Sequence, residues 1–111
     1  MLAKKFRLGR KQLNLIYKKG TNRGFGELGV KFMVNAVDYS RFAIVIPKKV
    51  VASVVKRNRY RRVIYDEVQK FTLKSQKNGD FLIRMFKEIE DDKILRKNVS
   101  DSINLCLNLL H

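Results

Sequence analysis

The segment from residue 48 to residue 71 constrains the fold most strongly, because it joins a dense run of cations to apolar side chains at helical spacing. Seven of the fifteen residues from Lys48 to Arg62 are Lys or Arg. Ser53 is placed to act as an N-cap. The apolar side chains that follow share one arc of a helical wheel: Val54, Tyr60, Ile64, Val68 and Phe71. The segment therefore predicts a surface helix from about Ser53, with one face in the core.

The sequence before this helix predicts one helix and two strands. Residues 9–20 have helical spacing and end at Gly20, which predicts a short amphipathic helix with a left-handed terminator. A glycine-rich loop is expected at 21–27. The alternation at 28–37 and the apolar run at 42–47 then predict two strands, paired as a hairpin, with the second in the interior of the sheet.

The sequence after the helix predicts a loop at 74–80, a strand at 81–86 and a closing helix at 88–110. The buried stripe of that helix is expected to hold Leu95, Val99, Ile103, Cys106 and Leu110. The order of elements is then α-β-β-α-β-α, with helices packed on a mixed sheet. At 111 residues the chain is long enough for one domain, residues 1–111, and too short for two.

The charge of the chain indicates a polyanionic partner. Lys and Arg total 25 against 10 Asp and Glu, a net charge of +15, and such self-repulsion costs stability unless a polyanion relieves it. Nucleic acid is the first candidate and an anionic membrane the second. No apolar run approaches the roughly 18 residues of a membrane span, and the N-terminus lacks the apolar region of a signal peptide. We therefore expect a soluble cytoplasmic protein without a membrane partner.

The predicted central helix carries a polar ridge opposite its apolar arc. The ridge consists of Asn58, Arg62, Tyr65, Asp66 and Gln69. Further cations flank the ridge or crowd the helix start: Lys48, Lys49, Lys56, Arg57, Arg59 and Arg61. No acidic residue precedes Asp66 in this stretch, and the positive end of the helix dipole lies here, so the pattern predicts phosphate binding. The alternative is a solvated charged face that binds nothing.

Aromatic side chains outside this helix have two interpretations. Phe6, Tyr17 and Phe32 are candidates for a shallow cleft on which unpaired bases stack. At helical or strand spacing such residues also serve as core. For Phe6 and Tyr17 the sequence leaves the two interpretations open.

Other candidate chemistry is sparse. The only carboxylate cluster is Glu88, Glu90, Asp91 and Asp92. It is compatible with a Mg²⁺ site, but acidic residues just before a helix more often stabilise its dipole, and we favour that interpretation. Cys106 lies on an apolar stripe, where we expect core packing, and His111 is the last residue; neither belongs to a catalytic arrangement.

The string RFAIVIPKKVVASVVKRNRYRR at residues 41–62 resembles the signature region of the protein subunit of bacterial ribonuclease P. In that family an Arg-Asn-Arg helix follows a strand and a Lys-Lys turn. The matching triplet is Arg57, Asn58 and Arg59, and the next basic pair is Arg61 and Arg62. Similarity in the family's order and spacing continues at residues 7–8, 17–20, 30–32 and 79–84, so it covers nearly the whole chain.

The resemblance implies a fold and a function. The implied fold is a compact α+β domain, an α/β sandwich of α-β-β-(β)-α-β-α order, with a left-handed crossover through the basic helix in place of the usual right-handed one. The implied function is removal of the 5′ leader from precursor tRNA. Catalytic Mg²⁺ and the phosphodiester chemistry would belong to an RNA subunit, so the polypeptide would hold no catalytic residue and no metal, and would serve as a monomeric accessory.

The resemblance also implies two contact surfaces. The surface for the catalytic RNA would consist of Lys48, Lys49, Lys56, Arg57, Asn58, Arg59, Arg61 and Arg62. A cleft between the first helix and the sheet would hold the single-stranded leader of precursor tRNA and would consist of Phe6, Arg7, Leu13, Tyr17, Val30 and Phe32. The chain departs from the family at Tyr65, where a third basic residue is common, and at Leu13, where an aromatic is usual.

Three other functions share parts of the pattern. A basic structural RNA-binding protein of the ribosome would have a similar charge, size and arginine helix. A DNA-binding module would place the same helix in a major groove, reading bases with Asn58 and Arg62, but the chain shows no dimerisation device. An enzyme acting alone would cleave RNA without an RNA subunit.

Overall fold

The computed structural model describes residues 2–72 and 78–110. Its elements in chain order are a short 3-10 turn at Lys4–Phe6, α1 at Arg10–Lys19, β1 at Thr21–Phe25, β2 at Leu28–Val34, β3 at Arg41–Val45, α2 at Val54–Val68, a second 3-10 turn at Gln69–Phe71, β4 at Gly79–Met85 and α3 at Asp92–Leu109. This is the α-β-β-(β)-α-β-α order implied by the family resemblance. Among the described residues no helix is both long enough and apolar enough to cross a membrane.

The four strands form one mixed sheet in the order β1-β2-β4-β3. β1 and β2 form an antiparallel hairpin, β2 and β4 are antiparallel, and β3 and β4 are parallel. The α+β class and the mixed sheet are therefore confirmed. The chain crosses from β3 through α2 to β4, the adjacent parallel strand. The left-handedness of this crossover stays a prediction.

Three predictions about the strands are wrong. Residues 21–27 are not a loop, because Thr21–Phe25 form β1, a mostly exposed edge strand without the buried alternation by which strands are recognised. The strands β2 and β3 are not a hairpin, because β4 lies between them, and β3 is at the edge of the sheet. The N-terminal segment covers part of this edge: the Leu8 amide donates to the Phe42 carbonyl at 3.0 Å.

The main core lies between one face of the sheet and the helices α2 and α3. At its centre the ring of Phe81 stacks between those of Phe32 and Phe42, at centroid distances of 6.2 and 5.2 Å. The predicted stripe of α3 is confirmed, since Leu95, Val99, Ile103 and Cys106 are fully buried and Leu110 nearly so. On α2 the predicted arc is buried except for Val54, the first helical residue, which is 58% exposed.

Several predicted segment ends also differ from the structure. β2 ends at Val34 rather than at 37, β3 ends at Val45 rather than at 47, and α3 begins at Asp92 rather than at 88. The loop predicted at 74–80 ends earlier, since Gly79 and Asp80 already belong to β4; residues 74–77 of that prediction lie outside the described residues. Gly20 does end α1, but with φ −70° and ψ 150° it is extended rather than left-handed. A glycine is needed there for space, because a Cβ would lie 2.6 Å from the Ile16 carbonyl oxygen.

We expect Gly20→Ala to lower the free energy of unfolding by about 1–3 kcal/mol, because the new Cβ forces the end of α1 away from the Ile16 carbonyl. Gly24→Ala is the matched control: a Cβ at Gly24 meets no atom within 4 Å. Urea unfolding followed by circular dichroism measures both. Equal stability of the two variants would contradict the steric explanation.

Candidate nucleic-acid interface

The start of α2 is fixed by two sets of hydrogen bonds. The Ser53 hydroxyl accepts from the Lys56 amide at 3.2 Å, which confirms the predicted N-cap. The Arg57 guanidinium donates through Nη1 to the carbonyls of Val51 and Ala52 at 2.8 and 2.9 Å. Arg57 therefore holds the helix against the segment before it, so one of its donors is not available for the phosphate binding that the sequence pattern predicted.

Two other cations of α2 have acidic partners that come from the residues leading into α3. Arg59 pairs with Asp92 at 3.0 Å, and Lys56 pairs with Glu88 at 3.6 Å. The expectation that these cations lack acidic partners is therefore wrong; it counted only neighbours along the chain. Both cations stay about half exposed, so the pairs contribute little and leave the charges at the surface.

Glu88 also accepts a hydrogen bond from the Tyr60 hydroxyl at 2.5 Å. Burial, together with this bond, raises the pKa of Tyr60 to about 12. Tyr60 is thus protonated at neutral pH and anchors α2 to the residues before α3. Because its hydroxyl is bonded to Glu88, Tyr60 has a structural role at the edge of the core.

The remaining cations of the predicted surface have no ion pair within the described part of the chain. The arginine patch, as we name it, is a concave surface of Asn58, Arg61, Arg62 and Tyr65. Within it, Arg61 Nη1 donates a hydrogen bond to Asn58 Oδ1 at 3.2 Å. Lys48 and Lys49, just before α2, are exposed. The patch therefore presents guanidinium donors to solvent, which suits phosphate.

The acidic cluster and Cys106 have structural explanations. Asp91 is the N-cap of α3 and accepts from the amides of Lys93 and Ile94, which confirms the helix-dipole interpretation for that residue. Across residues 2–72 and 78–110, no group of three or more His, Cys, Asp or Glu side chains could hold a metal ion. Burial raises the pKa of the Cys106 thiol to about 12, as expected for core packing. His111 lies outside the described residues.

A second surface lies on the other face of the sheet, next to α1. The strand register places Lys31 opposite Leu82 and Gly29 opposite Arg84, on the face that points away from the aromatic core. With Tyr17 of α1 these residues border an open depression, which we name the sheet groove. Its lining side chains are Tyr17, Asn22, Gly29, Lys31, Val45, Leu82, Arg84 and Phe86.

The predicted cleft residues are only partly brought together here. Tyr17 lines the sheet groove and is 53% exposed, and Leu13 is one helical turn before it and half-buried. Val30 and Phe32 are 0% and 2% exposed and belong to the core, so their placement in the cleft is wrong. Successive side chains of a strand point to opposite faces of the sheet. Val30 and Phe32 belong to the set that faces the core, and the groove is lined by the other set.

Phe6 and Arg7 are not among the side chains that line the sheet groove. They belong to the segment that covers the edge of β3. Phe6 packs edge-to-face on Tyr39, with the ring centroids 5.4 Å apart, and Lys5 Nζ lies about as close to both rings. Arg7 is exposed. The sequence resemblance therefore combined two separate regions into one cleft.

The sequence pattern missed the chemistry of the sheet groove. Lys31 Nζ lies 5.4 Å from the centre of the Tyr17 ring, and the Arg84 guanidinium lies 6.0 Å from that of Phe86. Gly29 makes room for Phe86, since a Cβ there would lie 2.3 Å from the ring. Two exposed aromatic rings, each beside a cation, suit a single-stranded nucleic acid. The signal for this surface was a single cation within each of the apolar strands β2 and β4, Lys31 and Arg84.

Comparisons with known proteins agree with this geometry. A family model described as Ribonuclease P matches residues 2–107. The chain is similar to the solved structure of the RNase P protein from Thermotoga maritima, with 25% identity, a TM-score of 0.72, and coverage of 95% of this chain and 97% of that one. It also resembles the RNase P protein from Staphylococcus aureus, with 20% identity, a TM-score of 0.69, and 94% coverage of both chains. A search of curated proteins found no match.

Proposed function

The chain belongs to the ribonuclease P protein family, and on that premise we propose that it assists removal of the 5′ leader from precursor tRNA by binding both the catalytic RNA and the leader. Membership of the family implies partnership with an RNA subunit. The proposal that the chain binds both the catalytic RNA and the leader is supported by one observation: the chain has two basic surfaces with different chemistry. One offers guanidinium groups, and the other offers aromatic rings beside cations.

The arginine patch is the proposed contact for the catalytic RNA. Folded RNA presents phosphates and 2′-hydroxyls rather than open base edges, so charge and hydrogen-bond donors matter most. Arg61 and Arg62 supply uncompensated donors, and Lys48 and Lys49 extend the positive field past the helix start. Asn58 belongs to the patch, and Lys56, Arg57 and Arg59 lie on the same helix.

The sheet groove is the proposed contact for the leader. A single strand needs a positive track and ring surfaces on which bases stack. Tyr17 and Phe86 provide exposed rings, and Lys31 and Arg84 provide the charges. This assignment keeps Tyr17 and Leu13 from the sequence prediction and replaces Val30 and Phe32.

The chemical step is proposed to belong to the RNA subunit, which would hold the Mg²⁺ ions that stabilise the attacking and leaving oxygens. Carboxylates around α2 are engaged with cations: Glu88 pairs with Lys56, Asp92 with Arg59, and Asp66 with Arg96. The protein would then contribute affinity and positioning. We further propose that it is cytoplasmic and monomeric when free of RNA.

Isolation of the protein from its native host, followed by sequencing of the bound RNA, tests this assignment. We expect the catalytic RNA of ribonuclease P to be the enriched species, together with precursor tRNA. Enrichment of ribosomal RNA instead would favour a structural protein of the ribosome and would contradict the proposal.

We expect Tyr17→Ala to raise the dissociation constant of the assembled complex for leader-bearing precursor tRNA by about 5- to 150-fold, since one stacked base contributes about 1–3 kcal/mol. Mature tRNA has no leader, so its affinity should stay nearly unchanged. Tyr17→Phe keeps the ring and serves as the control. Equal loss for precursor and mature tRNA would contradict a leader contact at Tyr17.

A further inference from the structure

Tyr65 lies where two depressions of the surface meet. It closes one side of the arginine patch, and it also lines a second depression whose other side chains include Lys4, Arg7, Leu8 and Phe42. The second depression lies along the edge of β3, where the N-terminal segment crosses it. One aromatic ring is therefore shared by two neighbouring surface sites.

The hydroxyl of Tyr65 is available for a ligand. Within residues 2–72 and 78–110 it has no hydrogen-bond partner, whereas the Tyr60 hydroxyl on the same helix is bonded to Glu88. Burial raises the pKa of Tyr65 above its usual value of 10, while the charges of Arg7 and Arg61 act in the opposite direction. The phenol is thus protonated at neutral pH and can donate a hydrogen bond.

The charges around Tyr65 favour an anion on two sides. Arg7 approaches from the N-terminal segment and Arg61 from the preceding turn of α2, and neither has a carboxylate partner in the described ranges. The nearest acid in sequence, Asp66, pairs with Arg96 of α3 at 2.9 Å and is directed away. A phosphate on either side of the ring would therefore meet a guanidinium group with no internal competitor.

The ligand that fits this arrangement has an aromatic plane between two anions. A nucleotide within an RNA strand has this chemistry, since its base stacks on a ring while the phosphates before and after it meet separate cations. A base inside a regular duplex has no free face for such a contact. The arrangement therefore selects an unpaired nucleotide.

We propose that Tyr65 is a stacking platform for one unpaired nucleotide of the partner RNA, with the flanking phosphates bound by Arg7 on one side and by Arg61 on the other. This inference rests on the proposed function. It adds the recognition of one unpaired nucleotide to a surface whose other proposed contacts are with phosphates. It also moves Arg7 from the predicted leader cleft to the RNA contact, and it adds Lys4 to that contact.

The test measures the affinity of the protein for its catalytic RNA over a range of salt concentrations. We expect Tyr65→Ala to raise the dissociation constant about 5- to 150-fold and to leave the salt dependence unchanged, because stacking releases no counterions. Tyr65→Phe should lose less than Tyr65→Ala. Tyr65→Leu keeps the apolar bulk at the core margin without an aromatic face, and it should lose as much affinity as Tyr65→Ala while staying folded.

The nucleotide itself is identified by chemical probing of the RNA in both complexes. One unpaired nucleotide should be protected by the wild-type protein and exposed with Tyr65→Leu. An abasic substitution at that nucleotide should remove the difference in affinity between the two proteins.

Distinct results overturn this inference and the proposed function. Wild-type affinity for Tyr65→Leu, or a loss accompanied by a shallower salt dependence, would overturn the stacking role while leaving the proposed function intact. Failure of the wild-type protein to bind the catalytic RNA would overturn both.

Discussion

Replacing both Arg61 and Arg62 with alanine is expected to weaken binding to the catalytic RNA by on the order of 100-fold, because each guanidinium contributes a hydrogen bond to a charged phosphate. The salt dependence should also become shallower. The slope of log affinity against log salt falls by about 0.7 to 0.9 for each lost phosphate contact, which gives about 1.4 to 1.8 for the pair. Neither residue has an internal acidic partner among the described residues, so the fold should be unaffected.

A matched control removes the same charge from another helix. Lys93 and Lys97 are exposed on α3, and Lys97 pairs with Asp101 at 2.9 Å. The double variant Lys93→Ala/Lys97→Ala should retain nearly the full slope. If both double variants lose equal affinity and equal slope, RNA binding follows net charge alone and the arginine patch is not a defined contact surface.

The second large effect is on stability. We expect Phe81→Ala to lower the free energy of unfolding by about 3–5 kcal/mol, the usual cost of removing a buried aromatic side chain. Phe81 is fully buried on a central strand, and its ring lies between those of Phe32 and Phe42. Thermal or urea unfolding measures the loss.

Phe86→Ala provides the control for that prediction, because it makes the same chemical change one residue beyond the end of β4. Phe86 is 51% exposed and lies against Gly29 on the opposite face of the sheet. We expect a cost below about 1 kcal/mol there, together with weaker leader binding. A similar loss of stability in both variants would show that the ring stack is not the centre of the core.

The sequence predicted the helices well because their signals are local. Ser53 and the apolar arc defined α2, and both the N-cap and most of the arc are present in the structure. The stripe from Leu95 onward identified α3, although the predicted start at residue 88 precedes the observed start at Asp92. A cap and a 3.6-residue period are complete within one segment, so no knowledge of the rest of the chain is needed.

The sheet was harder to predict because strand order depends on partners that are distant in sequence. The residues from Thr21 to Phe25 are polar and mostly exposed, and they become a strand only by pairing with β2. Periodicity likewise separated Val30 and Phe32 from Lys31 correctly. The leader cleft was nevertheless assigned to the buried side chains, because the family resemblance, and not the alternation, named Val30 and Phe32.

The electrostatics of α2 show the same limit. Lys56 and Arg59 have no acidic neighbour along the helix, yet Glu88 and Asp92 reach them when α3 packs on α2. Arg57 is engaged by backbone carbonyls that no sequence pattern predicts. The cations without an acidic partner in the described part of the chain form a smaller surface than the sequence indicated, and this surface is centred on Arg61 and Arg62.

The most direct test of the proposed function is cleavage of precursor tRNA by the catalytic RNA from the same organism, at a Mg²⁺ concentration at which that RNA alone is nearly inactive. We expect the wild-type protein to restore cleavage at the leader junction, the Arg61→Ala/Arg62→Ala variant to restore much less, and the protein without RNA to cleave nothing. Cleavage by the protein alone, or no gain when it joins the RNA, would contradict the proposal that this polypeptide assists a catalytic RNA.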